Sequence, residues 1–586
     1  MSFFLRQIAG LCLLFICLPI LLRAQTPAQQ LHQVIDSTWA FELREYPLLA
    51  VSAGKKTQIE SLGHQTEAAF AKETAFYRGQ LAKLKSIPTT SLSPVDRVNA
   101  ELLQYTLEEN ISQYDLKAYL NPMTAESGPH SYLSLIQSRL TFRTAADYES
   151  FIKLLYSLPT YLTEVVGLLR EGLRTGMTPP KVTLKGFETT YRTHIVADPT
   201  RSVFYQPFLH FPSSVSQADQ ARLQQAGQKA VMEGAVKAFR QFGAFMDAEY
   251  LPGARTTLAA NDLPNGKAYY QQRVRYYTTL DLSADEVHTM GLREVERIQT
   301  EMQALITKTG FKGSFQDFLQ FLRTDPQFYA KTPAQLLKEA SFIAKQADEK
   351  LPAFFGKLPR QPYGVAPVPD ALAPKYTSGR YSGSPISSKS PGYYWVNTYD
   401  LPSRPLYTLE SLTLHEAVPG HHLQSALSQE LTGLPEFRKQ LYIDSFGEGW
   451  GLYCEWLGKE MGFYKDPYSD FGRLTFEMWR ACRLVVDTGI HTKGWTRQQV
   501  IDYLSSHTAL SIHDCTTETD RYISWPGQAL AYKIGELKIK ELRQKAQTAL
   551  GAKFDVRAFH DRILSQGTVT MPILERIVNE YIQSTR

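Results

Sequence analysis

Cysteine is scarce in this chain of 586 residues. Of its five cysteines, Cys12 and Cys17 lie within the first 24 residues, leaving Cys454, Cys482 and Cys515 for everything beyond. Three are too few for a disulfide framework, so free buried thiols are expected and the fold must stand on its apolar core. A hydrophobic content of 43% is ample for that core. An excess of either charge is also missing: 63 basic and 58 acidic residues leave a net +5 on a mixed surface. That balance excludes a polybasic face and gives no ground for a nucleic-acid partner. Internal repeats and long low-complexity tracts are absent as well.

A membrane-spanning run is lacking at the amino terminus. The apolar stretch from Ile8 to Leu22 has about 15 residues and contains Pro19, whereas a spanning helix needs roughly 20. With Arg6 before it and Arg23-Ala24-Gln25 after it, the stretch reads as an export signal, residues 1–24, the alternative being a retained anchor. Cleavage leaves a periplasmic or extracellular protein with no stable membrane anchor. Cys17 follows Leu-Leu-Phe-Ile, without the small residues of a lipoprotein cleavage site, so lipid attachment is not expected.

What is present is mostly helix. Apolar residues recur every three or four positions in 65–84, 145–169, 221–251, 283–310, 332–351 and most of the chain after Tyr407. Ser283 with Glu286 three residues on forms a capping box, and Gly310 is a stop signal. Residues 25–586 are expected to form one helical domain; if it divides into two lobes, the Pro-, Gly- and Ser-rich stretch within 355–395 is the boundary. Next comes "GYYWVNTYD", Gly392 to Asp400, whose aromatic and β-branched residues predict a short strand. A strand there either packs or offers an edge to extended substrate, with Tyr394 and Asn397 as the candidate contacts. Residues 251–279 are read as a loop with a further strand.

The chemistry concentrates in "LTLHEAVPGHHLQ", Leu412 to Gln424. In the common zinc-peptidase signature two histidines four apart share a helical face, and a glutamate beside the first activates water at the metal. His415 and Glu416 fit, but position 419 is proline. On a regular helix His421 lies about 120° around from His415, and His422 lies about 10 Å along it, so neither joins His415 on one ion. Pro419 and Gly420 permit a departure from regularity. A bulge over residues 418–420 would bring His421 to the metal; His422 is the alternate. The third ligand is sought in "DSFGEGWGLYCEWLG", where Glu448 stands among Gly447, Gly449 and Gly451. Three glycines cost a helix roughly 0.8–1 kcal/mol each relative to alanine, which makes sense where two helices approach closely. Glu455 is the competing carboxylate.

"LESLTLHEAVPGHHLQ", "FGEGWGLYCE", "DTGIHTKGWT" and "RYISWPGQALAYKIG" together resemble the bacterial family known as domain of unknown function 885, over about residue 30 to the carboxyl end. The resemblance implies a zinc metallopeptidase similar to thimet oligopeptidase and angiotensin-converting enzyme. Its fold would be mainly α, a large zincin-like (gluzincin) array of helices enclosing a deep cleft, with a small β element beside the active-site helix. The similar peptidases read His-Glu-x-Gly-His, which matches Gly420-His421 and supports His421; the extra residues are a departure. One Zn²⁺ per chain is implied, held by His415, His421 and Glu448, with Glu416 as general base and acid.

Late tyrosines and histidines in such enzymes bond the tetrahedral intermediate, and Tyr532, Tyr522 and His491 are the matching candidates. Arg483, Asp487 and His491 recur at four-residue spacing on one helical face. Arg483 or Arg521 is the candidate receptor of a substrate carboxylate. The deep cleft that the resemblance implies favours an exported oligopeptidase or carboxypeptidase-like enzyme acting on short peptides. The alternatives are a metal-dependent amidohydrolase acting on a small non-peptide compound and a non-catalytic peptide-binding protein.

Overall fold

A computed structural model of the chain describes residues 25–370, 372–373, 376–384 and 390–586. The expected export signal, residues 1–24, lies outside them. The fold is mainly helical with one small sheet; labels follow for the longer helices and those that carry the site.

The chain opens with α1 (Pro27–Glu45), α2 (Glu67–Lys85) and α3 (Pro94–Asp115), each started by a Ser or Thr side chain that accepts a backbone N–H of the first turn. Next come α4 (Ala145–Thr175) and a helical run over residues 217–253 that includes two π-helical stretches, Val231–Val236 and Met246–Tyr250. The strand expected within 251–279 is instead helix α5 (Gly266–Thr278). Tyr270, Arg273, Val274 and Tyr277 bury one helical face there, so the three- and four-residue spacing outweighs the β propensity of tyrosine and valine. Helix α6 (Ala284–Thr309) has the Ser283–Glu286 capping box and stops at Gly310, whose φ of 74° suits the left-handed cap. Then follows α7 (Pro333–Phe354).

The sheet comprises β1 (Tyr363–Pro367), β2 (Gly379–Ser382) and β3 (Gly392–Val396) in the order β1-β3-β2. β3 pairs parallel with β1 and antiparallel with β2, Tyr381 standing opposite Tyr394. The predicted strand is therefore the central one, with β1 and β2 as the two outer strands. The remaining labelled helices are α8 (Leu409–Glu416), α9 (His421–Glu430), α10 (Asp444–Leu457), α11 (Pro467–Lys493), α12 (Ile512–Ser524) and α13 (Ala531–Leu550).

Two apolar clusters explain where α8 sits. One joins Leu31, Tyr77 and Leu102 of the first helices to Trp450, Tyr453 and Ile539, and it takes in Leu414. The other gathers Ile298, Ala340, Tyr394 and Val485 around Leu409 and Leu412. Helix α8 is thus covered from both sides, and every residue from Ser411 to Gly420 is buried, with none on a solvent face. Its polar side chains must find partners inside. Cys454, Cys482 and Cys515 are free and buried, as expected for a fold without disulfides.

Candidate metal centre

The helix does not bulge at Pro419; it ends and restarts. Helix α8 stops at Glu416, residues 417–420 make a turn with a cis Val418–Pro419 peptide, and α9 begins at His421. Gly420 sits against the His415 carbonyl so closely that a Cβ would collide with it, so the turn demands glycine there. The His422 N–H donates to the Ala417 carbonyl at 3.1 Å. Trp450 of α10, fully buried, donates its indole N–H to the Pro419 carbonyl at 2.9 Å and anchors the turn to the next helix.

This junction sets the His415 and His421 rings 4.7 Å apart and nearly perpendicular. Their Nε2 atoms lie 3.5 and 3.4 Å from the same oxygen, Oε2 of Glu448. One ligand atom from each of the three residues lies within 4.8 Å of the others. Two ligands held about 2.0–2.1 Å from a tetrahedral zinc are separated by about 3.4 Å, so the donor set matches that ion.

Helix α10 supplies a carboxylate on either side of the His415 ring. Glu448 and Glu455 are seven residues apart and share a face, with Gly451 between them. A Cβ at Gly451 would stand 2.6 Å from Cε1 and 2.7 Å from Nε2 of His415, so this glycine is the floor on which the imidazole rests. A Cβ at Gly449 would stand 2.5 Å from the Gly535 backbone, which lets α10 lie directly on α13. The glycines around Glu448 thus serve close approach to both a ring and a helix.

Glu455 is buried rather than solvent-facing, and it is not among the converging ligand atoms. Its Oε1 lies 2.7 Å from His415 Nδ1, its Oε2 accepts the Ser411 hydroxyl at 2.6 Å, and Arg480 approaches at 3.3 Å. An Nδ1–H donated to this carboxylate fixes the tautomer that leaves Nε2 as an acceptor, the arrangement that orients metal-binding histidines. Burial alone would depress the basicity of His415, but Glu448 and Glu455 outweigh it and raise its pKa to about 10 in the ion-free cluster. Glu448 is held well below the usual carboxylate range: burial opposes ionisation, and His421 and His415 overcome it. Glu416 is turned towards the sheet, where its Oε2 accepts the Tyr381 N–H of β2 at 2.7 Å. Tyr442 donates its hydroxyl to Glu448 Oε1 at 3.1 Å, and the His421 and Glu448 side chains are 13% and 15% exposed against 2% for His415, so solvent reaches the cluster from their side.

His422, the alternate ligand, is turned away: Nδ1 meets the Tyr381 hydroxyl at 3.2 Å and Nε2 the Gln361 carbonyl at 3.0 Å. It ties α9 to the sheet. His491 is buried with both nitrogens engaged, Nδ1 accepting the Ala260 N–H at 3.0 Å and Nε2 facing the Tyr522 carbonyl at 3.0 Å. The Tyr522 hydroxyl accepts from Trp479 and Arg483, each at 2.8 Å. Neither His491 nor Tyr522 has a group left for substrate.

Arg483 donates to Tyr522 and Glu518 and lies between the Trp479 and Tyr532 rings at 4.3 and 4.2 Å. Its Nε and Nη2 are thus engaged within the protein, while Nη1 is buried without a hydrogen-bond partner among the described residues. Tyr394 is wholly buried on the central strand, and Asn397 spends its amide on the carbonyls of Ala373, Tyr376 and Thr377. Neither lies on a free edge. Tyr532 accepts from Arg521 at 3.4 Å and keeps its own proton to donate; Arg521 also reaches Gln528 at 2.9 Å and Glu518 at 3.5 Å. Sequence reasoning missed Tyr442 and the orienting role of Glu455. A seven-residue spacing from Glu448 was the one signal that marked Glu455.

Residues 47–578 match the model of a family described as bacterial protein of unknown function (DUF885), and the chain belongs to that family. It is similar to a solved structure described as "the putative lipoprotein from Colwellia psychrerythraea", with 28% identity and a TM-score of 0.88, covering 96% of this chain and 100% of that one. A second, a "putative lipoprotein of unknown function" from Shewanella oneidensis, shares 18% identity at a TM-score of 0.70, over 95% of this chain and 100% of the other, and supports the fold alone. No curated protein matches.

Proposed function

We propose that this member of the DUF885 family is an exported zinc-dependent peptidase that hydrolyses short peptides. The observation that carries the reading is the convergence of His415 Nε2, His421 Nε2 and one Glu448 oxygen, with Glu416 adjacent and Glu455 orienting the first histidine. Two imidazoles and a carboxylate suit zinc better than harder cations, which prefer all-oxygen sets. When bound, zinc acts as a Lewis acid towards a carbonyl and lowers the pKa of water at the site to roughly 7.

The chain's own groups do the rest. The β2 backbone holds Glu416 through Oε2, and among the described residues its Oε1 accepts no hydrogen bond. Oε1 takes the proton of the attacking water and passes it to the departing amine. Tyr532, braced by Arg521 and Arg483, has an O–H to donate to the developing oxyanion. Export is supported by the amino-terminal signal pattern and by the description of the 28%-identical Colwellia psychrerythraea structure as a "putative lipoprotein". Among the described residues no helix is long and apolar enough to cross a membrane. The restriction to short peptides rests on resemblance to helical peptidases.

The test combines metal analysis of the purified protein with cleavage of a mixed library of short peptides, run beside Glu416→Gln with zinc supplied to both. One zinc per chain is expected in each, with turnover roughly 10²- to 10⁴-fold lower in the variant. Undiminished turnover in Glu416→Gln removes the assigned base. A protein that neither binds zinc nor cleaves any peptide sinks the reading.

A further inference from the structure

We propose that Arg380, on the outer strand beside Glu416, receives the free α-carboxylate of a peptide, so that the enzyme trims its substrates from the carboxyl end. The inference rests on the peptidase reading and narrows its substrate class to peptides with an unblocked carboxyl terminus.

The strand geometry puts Arg380 next to the chemistry. The Tyr381 N–H meets Glu416 Oε2 at 2.7 Å, and the Arg380 Cα is two covalent bonds from that nitrogen. Backbone bond lengths therefore keep this Cα within about 5 Å of the Glu416 oxygen. Successive side chains leave a strand on opposite faces. Tyr381 turns to His422, so Arg380 projects from the other face.

There its guanidinium stands over the Tyr376 ring at 5.3 Å, and the residue as a whole is exposed. Among the described residues no carboxylate pairs with it. The neighbouring arginines differ: Arg480 has Glu455 at 3.3 Å, Arg483 has Glu518 at 3.0 Å, and Arg521 has Glu518 at 3.5 Å. Arg380 lies within electrostatic range of Arg521 and Tyr532, and Tyr532 is in the same range of Tyr442, the residue bonded to Glu448. The opposing carboxylate in range, Glu126, forms no ion pair with either arginine. An unpaired guanidinium with a second one nearby is a receptor for a bidentate anion, and its fork matches a carboxylate.

The reach fits an exopeptidase. The α-carboxyl carbon of a terminal residue lies about 4 Å from the scissile carbonyl carbon that precedes it, and an arginine side chain on the adjacent strand spans such an offset. In the reaction the scissile C–N bond breaks and the water oxygen joins the acyl carbon. Glu416 carries the water proton to the amine that departs with the carboxylate-bearing fragment.

The experiment pairs each short peptide with its carboxyl-terminal amide and follows both by mass spectrometry, in wild type, Arg380→Gln and Arg380→Lys. Wild type is expected to remove residues from the carboxyl end of the acid and to favour it over the amide by at least 100-fold in kcat/KM. Arg380→Gln should reduce that preference at least tenfold, chiefly through KM for the acid, with Arg380→Lys intermediate. Equal cleavage of acid and amide, internal cuts, or an unchanged preference in Arg380→Gln overturns the proposal while the peptidase reading stands.

A binding arm does not need turnover: the acid and amide are titrated onto Glu416→Gln with and without Arg380→Gln. If no peptide is cleaved, the peptidase reading fails. In that case an acid preference in binding that is lost with Arg380→Gln still supports a carboxylate receptor, and no preference overturns it.

Discussion

Two buried polar clusters in this molecule look alike in the sequence and differ in what they leave unused. The first, at the junction of α8, α9 and α10, holds His415, His421, Glu448 and Glu455. The second, between α11 and α12, holds Arg483, Asp487, His491 and Tyr522, all at most 1% exposed. In the second, the ring nitrogens, the hydroxyl, the Asp487 carboxylate and two of the three guanidinium nitrogens meet groups of the protein itself: Ala260, Trp479, Glu518, Tyr270 and a backbone carbonyl. In the first, two Nε2 atoms face one carboxylate oxygen at the 3.4–3.5 Å separation of ligands that share an ion. Burial and residue type do not distinguish a candidate metal site from a polar strut. The direction in which acceptors point does.

The sharpest way to break the comparison is to truncate one histidine in each cluster. His421→Ala should abolish stoichiometric zinc binding, measured by metal analysis after dialysis, with the thermal midpoint of the metal-free protein little changed. His491→Ala should keep the zinc and lower the thermal midpoint, since it strands the Ala260 N–H in a buried site at a cost of about 1–3 kcal/mol. Zinc lost from His491→Ala, or kept at full affinity by His421→Ala, would erase the distinction.

A smaller effect is expected from the group that orients rather than binds. Glu455→Gln can still accept from Nδ1 but loses the charge beside it, and zinc affinity should fall roughly 10- to 100-fold in a chelator competition. An unchanged affinity would reduce Glu455 to a partner of Arg480.

A last effect, read in the pH dependence of stability rather than in metal binding, belongs to Asp487. Burial is the main cause that raises its pKa to about 7, against the Tyr270 hydroxyl and the Gly527 N–H, which favour the ionised form. Its pKa in the folded chain thus exceeds the unfolded value of 3.8, so the folded state binds more protons between about pH 4 and 7. Its contribution to stability is full below that window and is lost as pH rises through it. Asp487→Asn should flatten this part of the stability–pH curve, read by denaturant melts at several pH values. An identical slope in the variant would remove the assignment.

Local patterns carry much of this architecture. Helix periodicity, the Ser283–Glu286 box, the stop at Gly310, the strand at Gly392 and the expectation of free buried cysteines depend on residues a few positions apart, and such interactions are encoded where they act. Residues 251–279 misled because tyrosine-rich segments suit strand and helix alike until something covers one face. Within the site, His415-Glu416 and the glycine-flanked Glu448 stood out by spacing alone. The choice between His421 and His422 did not, because it depends on the path of four residues.

That path is set by Trp450, fixed 31 residues away, and by the absence of a Cβ at Gly420. Likewise nothing near His491 or Tyr522 in the chain announces that Ala260 and Trp479 will consume them, and nothing near Arg380 announces that no carboxylate arrives. Residue types and local conformation were determined by the sequence itself. Which polar atoms are satisfied and which are left facing one another was decided only by tertiary structure, because hydrogen-bond partners in a buried core come from segments that meet through packing.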